Sequence, residues 1–379
     1  MTTISSIRAK ALEIPISTPT RISTRVLGSR HFLLVEIEDS DGGVGFGYSY
    51  AGTSGGRIIR SIVEEMLTPM LLGGESNDIH GHYERCYAET LLAGRSGLVQ
   101  RAISAIDMSL WDLAAKRAGC ALATLLGGAP RPLPAYASGG YYRGGALSFE
   151  DALHEEIEQN QVAGFTDHKI KVGGLTPEED ARRVRAAFSA MHEGGRLAVD
   201  ANNAYRDAAE ALRAIRILED ATDGRGLWWV EEPLSPDDIA GHAALAAILE
   251  TPIATGEIHA NRHEFRALID AGAADILQPD VGVIGGVSEW LRVARTAESF
   301  NLPVAPHWHA NVHVQLAAAT PNCLTIEHFD LAKDIYNFEK VVRPEHRIEV
   351  VDGEVVCPDR PGLGFELDED AVSRFEIRA

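Results

Sequence analysis

Two rhythms of apolar and polar positions divide the chain. In ISSIRAKALEIPI and HFLLVEIEDSDGGVGFGYSY, apolar and polar residues alternate, the period of strands with one buried face; Asp41-Gly42-Gly43 supplies the turn in the second run. Helical spacing follows over residues 58–72, 79–91 and 97–117. This part therefore predicts an antiparallel sheet followed by helices, an α+β unit ending at the Gly/Pro-rich LLGGAPRP, residues 125–132. Beyond it, short apolar runs alternate with amphipathic, Ala- and Arg-rich stretches such as 178–190 and 208–218. The runs are LPAYAS, HKIKVGG, LAVDANNAY, WWVEEP, PIATGEIH, DILQPD, PVAPHWH and TIEHF. Eight strand–helix units predict a (β/α)8 barrel. The expected division is an α+β capping domain over 1–128, a barrel over 129–345 and a hairpin-like segment over 346–379 that returns to the cap.

In such a barrel all strands end on one face, where active sites are built. Here the apolar runs stop at Lys169 and Lys171, Asp200, Glu231, Glu257, Asp280, His307 and Glu327. From Lys171 onward the spacings are 29, 31, 26, 23, 27 and 20 residues, close to the roughly 30 residues of one βα unit. Residues scattered over more than half of the barrel therefore converge.

Composition narrows the reading. The chain has 379 residues, enough for a barrel and a second domain. Its net charge of −20 and lack of a Lys/Arg cluster argue against nucleic acid and anionic membranes as partners. No apolar run is long enough to span a bilayer, and no secretion signal is visible. Cys86, Cys120, Cys323 and Cys357 are scattered without metal-ligand spacing, which points to a reducing, cytoplasmic setting.

Asp200, Glu231 and Glu257 are three oxygen donors on consecutive strand ends, a set that suits a hard cation such as Mg2+. Without a cation their mutual repulsion would be costly, although three unrelated surface acids would leave the same trace. Asn202 is placed to support the first ligand. Lys169 and Lys171 share one face of a strand, and each ammonium, with the metal nearby, disfavours protonation of the other, so one amine is expected to be neutral enough to serve as a base. Asp280 and His307 form a candidate carboxylate–imidazole pair, with a core histidine as the alternative. Glu327, if held protonated, would donate a hydrogen bond to a developing oxyanion.

Taken together these motifs resemble the enolase superfamily, and within it the mandelate racemase subgroup. The likeness runs over nearly the whole chain: the cap, AISAIDMSLWDLAAK with LLGG after it, the KxK, DAN, EEP, GE, QPD and the PH preceding the last strand. The resemblance implies Lys171 as one base and His307, paired with Asp280, as the other. It implies Mg2+ on Asp200, Glu231 and Glu257, Lys169 near a substrate carboxylate, and Glu327 facing an enolate oxygen. Proton abstraction next to a carboxylate through an ene-diolate is the shared chemistry.

The polar runs at residues 17–31 and 48–57 are read either as solvated loops or as a lid. As a lid, Arg25 and Arg57, with Tyr141 and Asn202, would read a polar substrate, and an apolar ligand would leave such groups unpaired. The expectation is a Mg2+-dependent dehydratase of a sugar acid, giving a 2-keto-3-deoxy acid, in a homo-oligomer. Racemisation or epimerisation, lactone cycloisomerisation and a non-catalytic binding protein are the alternatives.

Overall fold

The computed structural model describes residues 2–143 and 145–378. The N-terminal sheet has three antiparallel strands in the order β1 (Ile4–Arg21), β2 (Val26–Asp39) and β3 (Val44–Tyr50). The β2–β3 turn is pinned by the Asp39 carboxylate, which accepts from the backbone N–H groups of Asp41 and Gly43. Alternation then sorts the side chains of β2. Leu33, Val35 and Ile37 pack with Ile103, Ile106 and Leu110 of the helix Gly97–Arg117, whereas Phe32 and Leu34 turn toward the barrel beside Trp308 and Phe338. Glycine is needed at two positions of β3. A Cβ on Gly45 would lie 2.2 Å from the Ser109 carbonyl, and one on Gly47 would lie 2.3 Å from that of Ala105. Helix and sheet approach closely only because both side chains are absent.

The barrel closes through β4 (Pro132–Gly139), β5 (His168–Lys171), β6 (Leu197–Asp200), β7 (Val230–Glu231), β8 (Ile253–Thr255), β9 (Ile276–Leu277) and β10 (Ile326–His328). β10 pairs in parallel with β4. The seventh of the eight staves is reduced to Val304, which bridges Leu277 on one side and Cys323 on the other. Inward positions one layer below the barrel mouth form a plug in which Tyr136 and Trp229 fill the space left by Ala198, Ala254 and Ala305. By the same two-residue period, Asp200, Glu231 and His307 stand one layer above Ala198, Trp229 and Ala305.

The C-terminal hairpin departs from expectation. β11 (Val350–Val351) and β12 (Glu354–Val356) do not rejoin the cap: β12 pairs with Pro132–Pro134 at the start of β4. That end of β4 projects beyond its barrel neighbours and presents unpaired backbone, which the hairpin covers. The return to the cap comes later, through the Ala121–Gly362 and Leu12–Glu376 bridges.

Cap and barrel are also joined above β9. There Ser49 donates to the Gly282 carbonyl at 2.6 Å, Gln100 to that of Ile284 at 2.9 Å, and Ser104 accepts from Gly285 N–H at 2.8 Å. Asp107 accepts from Ser288 N–H at 2.9 Å, at the start of the helix Val287–Ser299. All these partners follow Asp280 directly in sequence.

Candidate active site

The strand-end residues do converge. One carboxylate oxygen each from Asp200, Glu231 and Glu257 lies within 4.8 Å of the others. Glu257 Oε2 is buried without a hydrogen-bond partner, a cost that a bound cation removes. The other two are held from behind. Gln278 and Trp229 donate to Glu231 Oε2 at 2.6 and 3.0 Å, and Asn202 donates to both Asp200 oxygens, from its backbone at 2.8 Å and its amide at 3.2 Å. That backbone bond needs Asn202 in the left-handed region, at φ 45°. Only oxygen donors are present, in the number that leaves room for substrate and water around an octahedral ion. The residues fit Mg2+.

Two amines flank one side. Lys171 contacts Asp200; Lys169 contacts Glu231 and lies 2.8 Å from Glu327 Oε1 and 3.9 Å from Asp200 Oδ2. Burial lowers the affinity of each for its proton, but carboxylates outnumber amines here, and Asp200 for Lys171 and Glu231 for Lys169 raise it above the ordinary value. At Glu327 burial favours the protonated form, yet Lys169 outweighs it and holds the carboxyl below its usual range. Its second oxygen accepts from Trp308 N–H at 2.8 Å.

The imidazole stands on the other side. His307 Nδ1 is 2.9 Å from Asp280 Oδ2 and Nε2 is 3.4 Å from Glu257 Oε2. Burial would lower the His307 pKa, but Glu257 and the hydrogen bond to Asp280 lift it to about 9. Glu257 moves the opposite way: burial, partly offset by His307, pushes it up to about 8. Asp280 is shared, because His309 Nδ1 lies 2.6 Å from its Oδ1. His313 completes the support by accepting Val281 N–H at 3.0 Å. The triad therefore touches Lys171 at its Asp200 end and His307 at its Glu257 end.

Among the lid residues, Arg25, Tyr141 and Asn202 line the cavity above this set, together with Lys171, Glu257 and His307. Arg57 does not: it lies in the first turn of the short helix Gly56–Ser61, and its guanidinium bonds the Arg378 carbonyl at 3.0 Å. Next to Tyr141 in sequence, Tyr142 bonds Asp180 at 2.8 Å and Arg143 bonds Thr20 Oγ1 at 3.2 Å, and neither lines the cavity. Ser23 and Arg21 instead fasten the β1–β2 ribbon onto the barrel, donating to the carbonyls of Ala201 at 2.7 Å and Gly174 at 2.6 Å. Arg30 and Arg101 were not expected in the cavity, although both line it. Their sequence signal was an arginine on the inward phase of an apolar alternation, Arg30-Phe32-Leu34, and another on the buried helix face with Ala105 and Met108.

Two family models match in tandem. One, "Mandelate racemase / muconate lactonizing enzyme, N-terminal domain", covers residues 6–127, and the other, "Enolase C-terminal domain-like", covers 152–371. The chain belongs to the mandelate racemase/muconate lactonizing enzyme family. The L-talarate/galactarate dehydratase of Salmonella typhimurium is 36% identical over 365 residues, 94% of this chain and 87% of that protein. The arabinonate dehydratase of Saccharolobus solfataricus is 35% identical, covering 91% of this chain and 90% of its own. The crystal structure of a Streptomyces coelicolor racemase with bound magnesium superimposes with a TM-score of 0.89 at 30% identity, over 99% of this chain and all of that one. These relatives are named as dehydratases and a racemase, and solved structures among them hold magnesium. Among the described residues of the present member, no helix is long and apolar enough to cross a membrane.

Proposed function

We propose that this enzyme dehydrates a sugar acid to a 2-keto-3-deoxy acid. The observation that carries the reading is the placement of the Asp200–Glu231–Glu257 cluster between Lys171 and the His307–Asp280 pair. A substrate held there has one proton-transfer group on either side of its α-carbon. Asp200, Glu231 and Glu257 would hold Mg2+, which when bound polarises the substrate carboxylate and offsets the three acidic charges. Lys169 lies in the same layer, a fixed ammonium toward which charge on the carboxylate oxygens can build. One of Lys171 and His307 takes the α-proton, breaking C–H; the other delivers a proton to the β-hydroxyl, which leaves as water with the C–O electron pair. The resulting enol tautomerises to the 2-keto acid, so atoms and charge balance.

Dehydration is favoured over racemisation by the polar lining above the α-carbon, where Arg25, Thr53, Tyr141 and Asn202 face the cavity, and by the two dehydratases among the relatives. The test is a screen of the purified protein with Mg2+ against mono- and diacid sugars in D2O, followed by NMR. A 2-keto product, lost with chelator and restored by Mg2+, supports the reading. Solvent deuterium at the α-carbon with an inverted centre and no keto acid replaces it by racemisation. Full turnover in excess chelator removes the ligand assignment.

A further inference from the structure

We propose that the lid side of the active-site cavity is a subsite for a second carboxylate, so that the substrate is a dicarboxylic sugar acid. This rests on the reading above and sharpens it. The cavity measures about 360 Å³, within the range of small-molecule sites. Its lining includes Arg25, Arg30, Arg101, Lys171 and His307, against a single carboxylate, Glu257, which is a metal ligand. In a chain of net charge −20 this is a local inversion of sign.

The three guanidinium groups come from separate elements: Arg25 from the β1–β2 turn, Arg30 from β2 and Arg101 from the helix Gly97–Arg117. Arg30 is 4% exposed. It stacks 4.3 Å over the Trp308 ring and donates to the Ile335 carbonyl at 2.7 Å and the Tyr50 hydroxyl at 3.1 Å. Arg101 donates to the Tyr50 carbonyl at 2.8 Å. Among the described residues, every hydrogen-bond partner of these two arginines is a neutral oxygen. Elsewhere the same chain matches its shielded arginines with acids: Arg183 with Asp180, Arg117 with Asp39, Arg262 with Glu289.

A shielded cation without a counter-ion is costly, and the cost is recovered when an anion enters. The metal cluster and Lys169 answer for one carboxylate, at the reacting end. The arginines project from the cap; Asp280 and Glu257 lie within electrostatic reach of Arg101 but neither bonds it, and a hydroxyl would leave its guanidinium without a bonded anion. A planar carboxylate accepts from guanidinium forks in pairs and compensates it.

The test compares matched six-carbon acids of one configuration that differ only at C6, carboxylate against hydroxymethyl, with Mg2+ present. Wild type should favour the diacid in kcat/KM by on the order of 100-fold, the scale of one buried charged hydrogen-bonded pair. Arg101→Met should cut the diacid-to-monoacid ratio by a similar factor, and Arg101→Lys, which keeps charge without the fork, should restore part of it. Arg30→Met also strips a stack from Trp308, so Arg101 carries the test. A wild-type ratio near one, or a ratio unmoved by Arg101→Met, overturns the subsite. If neither acid is turned over, the dehydratase reading falls by itself; thermal shift of the Mg2+-loaded protein with the same pair then decides. A larger shift with the diacid, reduced in Arg101→Met, keeps the subsite, and equal shifts overturn it.

Discussion

Asp280→Asn isolates what the carboxylate does for His307. In the native arrangement Asp280 Oδ1 accepts Gly282 N–H at 2.8 Å and faces His309, while Oδ2 accepts from His307 Nδ1 at 2.9 Å. Asparagine has the same shape, and the Gly282 N–H decides its orientation, because a second donor there would be repelled. The amide oxygen stays on Gly282, and the NH2 group turns to His307 Nδ1. That nitrogen must then accept, so the ring proton moves to Nε2, the atom beside Glu257 that faces the cavity. Neutral His307 can no longer take a proton there. A wrong-tautomer histidine costs about 10³–10⁴ in rate, or about 4–5.5 kcal/mol of barrier. Folding should change far less, since Asp280 caps the short helix Val281–Ile284 and asparagine serves as well as aspartate at an N-cap. The assay is kcat/KM on the best substrate, with urea unfolding on the same preparation. A variant within about fivefold of wild type in kcat/KM, equally stable, would refute the claim that this pair sets the tautomer.

Other expectations are quicker to state. Arg183 is 1% exposed and donates to the Lys171 carbonyl at 2.6 Å while pairing with Asp180 at 3.0 Å. Arg183→Met strands a buried carboxylate and should cost about 3–5 kcal/mol in urea unfolding; a loss below about 1 kcal/mol would contradict this. Burial lowers the His168 pKa to about 4, and both ring nitrogens lack partners. Between its ordinary 6.5 and that value the unfolded chain binds a proton that the native one refuses, so stability falls as pH drops, by about 2 kcal/mol at pH 5. The loss between pH 7 and 5 should shrink by that amount in His168→Leu, and an unchanged loss argues against it. Arg57→Met should leave kcat/KM alone and move stability by no more than about 0.5 kcal/mol; a clear rise in KM would return Arg57 to the site.

What the sequence made legible was whatever strand geometry imposes on order. Asp200, Glu231 and His307 end apolar runs because inward positions one layer lower must be plug residues, so their convergence followed from counting strands. The directions in which Lys171 and Glu327 are shifted were not legible, because they depend on how many opposite charges reach each group across the barrel. Tail and lid failed for a related reason. The segment 346–379 read as hairpin-like, yet nothing local told which free strand edge its residues 354–356 would meet. Arg57 and Arg30 look alike in sequence, and only the turn into a helix at Gly56 sends one outward while the β2 alternation sends the other in.

The contacts of Ser49, Gln100, Ser104 and Asp107 with the segment after Asp280 bear on how this fold can be re-engineered. A designer who exchanges the entire N-terminal unit with a relative, to import a new substrate preference, also exchanges the clamp that seats the acid behind His307. Such a chimera risks losing turnover even where its new pocket binds well. Transplanting only the ribbon around residues 17–31 leaves that clamp in place. The unit of modular exchange in this protein is therefore smaller than its domain.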